Sequence, residues 1–362
     1  MRGHLDPQAS MFSYFSPEAR VPAAHPLRSI KGYADTALRS LSGDFDELYA
    51  TTGRPSIPPE RLLKASLLIA LYSVRSDRLF CQMLDYNILF RWFLDMNLEE
   101  RGLDQSNFSR LRERLVESKV AVRFFDAVVG EARQLNLLSD EHFTVDGTLI
   151  EAWASTAKSL RRKDGPPDSG GPDDQGMVNI RGERRSNATH SSATDPDAKL
   201  MRKGKGKESK LSFGGHALME NRHGLCVDLK ITSAVATETE AAKAMLERQR
   251  RKRVCPGTLG ADKGYHSKDF VAHLRRRKIA PHIAMIDGRK TPGLDARTTR
   301  HGGYTVSQRK RKRVEEIFGW MKAYGGLRRT MARGLGRVQL HAYLVGAAYN
   351  LLRLARLQPL TG

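Results

Sequence analysis

The chain has 362 residues, 40% of them hydrophobic and 28% charged, with a formal net charge of +21. That length leaves room for two domains with ample core material, and so large a basic excess marks a polyanionic partner, nucleic acid first. No apolar run of about 18 residues and no signal-peptide core is present, and the scattered Cys81, Cys226 and Cys255 suit buried thiols better than disulfides or a zinc site, so a soluble, cytoplasmic protein with no membrane partner is expected.

Residues 1–40 carry Pro, Ser and Gly without sustained periodicity and predict an irregular arm. From Ser56 the pattern turns helical, with prolines at the start and then Leu62, Leu63, Leu67 and Leu68 at helical spacing. Ser76 or Asp77 can cap a second helix running towards Phe93. Asp104 or Ser106 can cap a third carrying Phe108, Leu111 and Leu115, and residues 120–135 make a fourth. Residues 41–137 thus read as an all-helical domain, suited to DNA binding or assembly. The aromatics Tyr86, Phe90, Trp92 and Phe93 could stack on nucleobases, but at this spacing core is the expected role.

At residue 141 the pattern switches to alternation. H-F-T-V-D-G-T-L-I places Phe143, Val145, Gly147 and Leu149 on one face of a strand and Asp146 on the other. An acidic residue in mid-strand needs a reason, although a solvent-facing position would supply one. Residues 155–209 are rich in Gly, Pro, Asp, Ser and cations and read as a loop or flexible basic insertion. Its end, R-K-G-K-G-K, offers Lys203, Lys205 and Lys207 to phosphates, or simply to water.

Residues 210–220 and 225–233 form a predicted hairpin, followed by a helix capped by Thr237 or Thr239 that ends in R-Q-R-R-K-R. T-L-G-A-D-K-G-Y-H is a short buried strand that ends on Asp262, with Lys263 beside it and Gly264 turning the chain. Ser267 caps a helix through Phe270 and Leu274, residues 281–285 make a strand, and residues 286–306 read as a loop.

Residues 308–322 read Q-R-K-R-K-R-V-E-E-I-F-G-W-M-K. At about 100° per residue, Arg311 and Lys322 fall within roughly 40° of Glu315 on one helix. That strip borders the apolar face of Val314, Ile317, Phe318 and Met321, and Glu316 points away. Alone, this is a surface ion-pair ladder. A strongly apolar helix over residues 336–357 closes the chain. The element order allows Asp146, Asp262 and Glu315 to converge at one edge of a mixed sheet, and three convergent carboxylates require bound hard cations. All-oxygen ligands favour Mg²⁺ or Mn²⁺, and two such ions suit phosphodiester displacement.

V-D-G-T, G-A-D-K-G-Y and R-x-x-x-E-x-x-x-x-x-x-K ending in F-G-W-M-K resemble the Asp-Asp-Glu (DDE) transposases of bacterial insertion sequences, specifically the large family numbered five. P-P-E-R-L-L-K-A-S-L-L resembles that family's N-terminal domain. The resemblance implies an α+β fold over residues 138–362, a ribonuclease-H-like mixed sheet with flanking helices, preceded by the all-helical domain. It implies Asp146, Asp262 and Glu315 as catalytic, metal-binding carboxylates for two Mg²⁺ ions, which Mn²⁺ can replace. Arg311 and Lys322 match the residues that hold DNA near the scissile phosphate, and the family's Tyr three residues before that Arg is Gln308 here. Lys263, Arg309, Lys310 and Arg313 are further candidates for the phosphate backbone. Hydrolysis at each element end would free a 3′ hydroxyl that then attacks target DNA. The implied partners are double-stranded DNA, both inverted-repeat ends and target, and a second copy of the chain, because two ends must be paired. Competing readings are a metal-free tyrosine recombinase using Tyr324 or Tyr343, a non-catalytic helical DNA-binding regulator, and a structure-specific nuclease of the same fold.

Overall fold

In the computed structural model, which describes residues 14–47, 56–117, 119–154, 159–163, 185–204 and 206–360, the N-terminal part is helical. Its helices are α1 (Pro17–Arg20), α2 (Pro26–Arg39), α3 (Ser42–Asp46), α4 (Pro59–Leu71), α5 (Asp77–Tyr86), α6 (Ile88–Phe93), α7 (Gln105–Glu117) and α8 (Val120–Gln134). Ser76 caps α5 by accepting the Leu79 N–H, and Asp104 accepts that of Asn107 at the start of α7. The irregular arm expected over residues 1–40 is corrected from residue 14 onward. Pro26 opens a helix whose Leu27, Ile30, Tyr33, Ala34, Ala37 and Leu38 are buried along one face, a stripe that intervening polar residues had diluted. Residues 1–13 lie outside the described residues. Of the aromatic group, Phe90, Trp92 and Phe93 are core and Tyr86 is exposed.

The sheet follows: β1 (His142–Ala152), β2 (Leu160–Arg162), β3 (His190–Ser192), β4 (Lys199–Arg202), β5 (Ser209–Glu220), β6 (Leu225–Ser233), β7 (Thr258–Ala261), β8 (Ala280–Ile283) and β9 (Arg329–Thr330). Between and after the strands lie α9 (Glu238–Arg251), α10 (Lys268–Arg276), α11 (Ala296–Thr299), α12 (Gly302–Lys310), α13 (Val314–Ala323) and α14 (Leu335–Leu357). β1 is antiparallel to β5 and parallel to β7, with β6 on the far side of β5 and β8 on the far side of β7. An antiparallel meander of three strands, extended by two parallel strands each reached through a helix, is the ribonuclease-H-like arrangement. The α+β expectation stands.

Two helices hold this sheet. On α9, Arg248 pairs with the fully buried Asp228 of β6, and Gln249 Nε2 donates to the same carboxylate at 3.0 Å. Helix α14 is buried along most of its length and packs on β6, α8, α4 and α2. Gly346 permits the approach, since a side chain there would strike Leu229 of β6 and Phe125 of α8. The apolar core is consequently one cluster running from Val21 to Leu354. The boundary expected between residues 137 and 138 marks a change from helix to sheet but no break in the core.

Three further expectations are corrected. The insertion at 155–209 contains β2 paired with β3, and β4 extends the sheet beside β5. Asn187 clamps Leu200 through its main-chain N–H and C=O, giving order to a segment whose composition reads as loop; residues 155–158, 164–184 and 205 lie outside the described residues. The loop expected at 286–306 holds α11, capped by Asp295, and the start of α12, whose Gly302 and Gly303 lower its helix propensity. The single helix expected at 308–322 is interrupted by a 3-10 turn, Arg311–Arg313, because Ser307 pins α12 to the sheet through His142 and His282 while α13 follows its own apolar face. Cys81 and Cys226 are buried but Cys255 is exposed. Among the described residues no helix is long and apolar enough to cross a membrane.

Glu131 of α8 is buried with neither carboxylate oxygen hydrogen-bonded among the described residues. Burial pushes its pKa up from 4.5 to about 8, against a lowering influence from Arg39. Because the folded value exceeds the unfolded one, stability is highest at low pH and is lost as pH climbs from about 4.5 to about 8. Glu131→Gln should therefore stabilise the fold at pH 8 by on the order of 1–3 kcal/mol and change little at pH 4, as read by urea unfolding at both pH values.

Candidate active site

Asp146 occupies the middle of β1, with Ala217 of β5 as its cross-strand partner. Asp262 follows the last residue of the adjacent parallel strand β7, and its Oδ1 accepts the Gly264 N–H at 2.8 Å, starting a tight 3-10 turn, Lys263–Tyr265. Parallel pairing of β1 with β7, in register from His142 opposite Thr258 to Thr144 opposite Gly260, brings the segments that carry the two aspartates side by side. Glu315 comes from the first turn of α13, where it is exposed. Arg311, in the turn before α13, packs its stem over the bare backbone of Gly260 in β7.

These groups sense one another. The Asp146 pKa is pushed up to about 6, chiefly by burial, with the Asp262 and Glu315 carboxylates adding to the rise. The Gly147 N–H and the Arg311 guanidinium oppose it. Among the described residues, no three Asp, Glu, His or Cys side chains stand close enough together to form a metal cage. The carboxylates are thus an open group in electrostatic contact.

Lys322 donates to Thr148 Oγ1 at 2.5 Å. Thr148 lies two residues beyond Asp146, on the same face of β1, so the turn carrying Arg311 and then α13, carrying Glu315 and Lys322, follow the strand in sequence. Burial lowers the Lys322 pKa, and the nearby Lys203 and Arg328 lower it further. Two predicted DNA contacts, Lys322 and Lys203, are therefore neighbours. Lys263, Arg309, Lys310 and Lys207 are exposed, and Lys205 lies outside the described residues. Arg313 differs from the expectation: its guanidinium donates to the carbonyls of Asn221 and Arg222 at 2.7 Å each, so it is engaged within the protein. Gln308 is likewise turned inward, to the His282 carbonyl. Glu316 faces Arg353 and Arg313 at 3.5 and 4.0 Å, away from Asp146.

Residues 15–114 match the family described as a transposase domain (DUF772), and residues 180–351 match the family described as a transposase DDE domain. The chain belongs to the DDE transposases. It is a DNA transposase by family, and the family number within the insertion sequences is not fixed by these matches. The first match takes in α1 and α2; the second takes in Asp262 and Glu315 and begins after Asp146. No curated protein matches the chain. Among solved structures, the piggyBac transposase synaptic complex with hairpin DNA is 10% identical, with 93% of this chain and 77% of that chain covered and a TM-score of 0.43. The Mos1 transposase paired-end complex with left transposon end is 11% identical, with 88% and 83% covered and a TM-score of 0.20. Likeness at that level establishes neither fold nor function.

Two features of this transposase escape the sequence reading. Glu238, the first residue of α9, turns its carboxylate towards Gly147 and Gly264, and its pKa is raised by burial, then by Asp262 and Asp146. An acidic residue in the first turn of a helix ordinarily needs no more than the helix dipole to explain it, so T-E-T-E gave no signal. The second is a cleft of about 1050 Å³ beyond the end of β1, lined by Arg75, Arg78, Trp153, Tyr324, Arg329 and Arg333 among others. Trp153 and Tyr324 are half exposed, and the Arg329 guanidinium lies 4.8 Å from the Trp153 ring centroid. Its residues come from segments far apart in the chain, which no local pattern joins.

The donor set of the aspartates and Glu315 is carboxylate oxygen alone, and its charge is poorly compensated inside the protein, which suits a hard divalent cation. In metal-free protein the raised Asp146 pKa works against stability as pH rises from about 4 to about 6. Asp146→Asn should accordingly raise the melting temperature of metal-free protein at pH 7.5 by a few degrees and leave it unchanged near pH 4. Scanning calorimetry in chelator at the two pH values checks this.

Proposed function

We propose that this transposase cuts DNA at the ends of its own insertion sequence and joins the freed 3′ ends to target DNA, with Asp146, Asp262 and Glu315 as ligands of two Mg²⁺ ions that Mn²⁺ can replace. The supporting observation is that the half-buried Asp146 of β1 feels the carboxylates of Asp262, just after β7, and Glu315, at the start of α13, together with the Arg311 guanidinium. When bound, the ions supply activation of the attacking oxygen and stabilisation of the leaving oxygen in each in-line displacement.

The chain's own residues provide the rest. Arg311 offsets part of the carboxylate charge and keeps Asp146 available as an anion. Lys322, steadied by Thr148, presents an ammonium along the same strand face for a phosphate oxygen next to the scissile bond. Lys263, Arg309, Lys310, Lys203 and Lys207 track the phosphate backbone, which positions DNA without reading its sequence. The arginines and half-exposed rings of the cleft carry the DNA onward from the carboxylates. Joining two ends in one event requires two such sites, so the working unit is a dimer or larger assembly in the bacterial cytoplasm.

The test uses end-labelled DNA from the gene's own flanks, incubated with full-length protein and Mg²⁺. Wild type should cut at a defined terminus, and Asp146→Asn, Asp262→Asn and Glu315→Gln should each lower the rate by at least ~10²-fold, the scale of losing a transition-state-stabilising group. Glu316→Gln should stay near wild type. Cutting that survives chelator, or persists in Asp146→Asn, refutes the assignment.

A further inference from the structure

Glu238 reaches the site from α9, an element that carries none of the three assigned carboxylates. Its Oε1 lies 2.7 Å from the point where a side chain at Gly147 would begin, and its Oε2 lies 3.4 Å from the equivalent point at Gly264. Asp262 Oδ1 stands 3.0 Å from that same point at Gly264. Gly147 directly follows Asp146, and Gly264 lies in the turn directly after Asp262. Bare backbone at these two positions is what admits the Glu238 carboxylate between the aspartates' own segments. A glutamate held only by its helix N-terminus would extend into solvent, as Glu240 does, two residues on, where it pairs with Lys243 at 2.7 Å. Glu238 has no hydrogen bond or ion pair among the described residues.

Tyr265 supplies a second, independent observation. It is fully buried, and its hydroxyl has no hydrogen-bond partner among the described residues, an expensive state for a phenol. Its strongest charged neighbour is Glu238, followed by Asp146 and Asp262. A buried donor without an acceptor thus lies within electrostatic reach of an acceptor without a donor. The rigid anchoring of α9 through Arg248 and Asp228 keeps the glutamate end of the helix over this spot.

We propose that Glu238 is a fourth acidic residue of the catalytic centre and helps to hold the divalent ions, with the Tyr265 hydroxyl as the positioning group that orients its carboxylate. This rests on the reading of Asp146, Asp262 and Glu315 given above. Three carboxylates fall one charge short of two divalent ions; a fourth closes that gap before any phosphate arrives. Ligating carboxylates are commonly oriented by a hydrogen bond from a neighbouring group, and the unpartnered Tyr265 hydroxyl, which senses the Glu238 charge, is the donor assigned to it in the metal-loaded site. Glu238 therefore decides whether the DNA-free protein loads both ions or must wait for DNA to bring the missing charge.

The experiment counts bound Mn²⁺ by electron paramagnetic resonance in DNA-free, full-length protein, with thermal melts to establish that each variant is folded. Wild type should bind two ions. Glu238→Gln should retain one and show overall affinity weakened by at least ~10-fold. Glu240→Gln should match wild type. Glu238→Asp, which keeps the charge one methylene shorter, should hold both ions more weakly. Tyr265→Phe should weaken binding less than Glu238→Gln and add nothing in the Glu238→Gln background, a non-additivity that a purely structural tyrosine would not produce. If Asp146→Asn loses Mn²⁺ while Glu238→Gln binds as wild type, this inference is overturned and the three-carboxylate reading stands. If Asp146→Asn itself binds Mn²⁺ as wild type, the three-carboxylate reading fails and takes this one with it.

Discussion

Strand β1 is hydrogen-bonded along both edges, to β5 on one side and to β7 and β9 on the other, and this double pairing constrains everything around Asp146. A carboxylate on a loop could swing away from its like-charged neighbours. One on a central strand cannot, because a shift of a single residue would turn every side chain of β1 to the wrong face. The strand stays in place because α14 and α9 cover the sheet and join it to the helical core. Stability distributed over the whole apolar cluster is what allows a cluster of acidic groups to persist at one point.

The charge distribution carries the same logic at larger scale. The chain is strongly basic, with a net charge of +21, yet Asp146, its pKa pushed up to about 6, sits within electrostatic reach of Asp262, Glu315 and Glu238. Acidic groups at the centre attract small cations, and basic groups around them attract a polyanion. Neither arrangement would serve alone. A wholly basic site would bind DNA without ligands for divalent ions, and a wholly acidic face would repel the phosphates it must approach.

Much of the fold was legible because it rests on local periodicity. Alternation over 142–150 pointed to β1, the hairpin followed from a Gly-containing turn, and Ser76, Asp104 and Ser267 announced helices through capping chemistry. The elements that were missed or misjoined depend on distant partners. The 3-10 turn at Arg311 exists because Ser307 is tied to His142 and His282, residues far away in the chain. Asn187 orders part of a segment with the composition of a loop. Arg313 looks like every other cation in R-K-R-K-R until its carbonyl partners at Asn221 and Arg222 are seen. Glu238 is hidden for the same reason, since helix-start chemistry explains it adequately until Gly147 and Gly264 are folded beneath it.

The most direct measurement of the central claim, that these carboxylates form one metal-binding centre, replaces Mg²⁺ with Fe²⁺ and generates hydroxyl radicals at the bound ion. The radicals cut the polypeptide backbone nearby, and mass spectrometry locates the cuts. They should cluster around Asp146 on β1, in the turn after Asp262 and at the start of α13 around Glu315, and excess Mg²⁺ should suppress all three together. Cuts that fall elsewhere, or at one of these segments without the others, or that are indifferent to Mg²⁺, would contradict a shared centre.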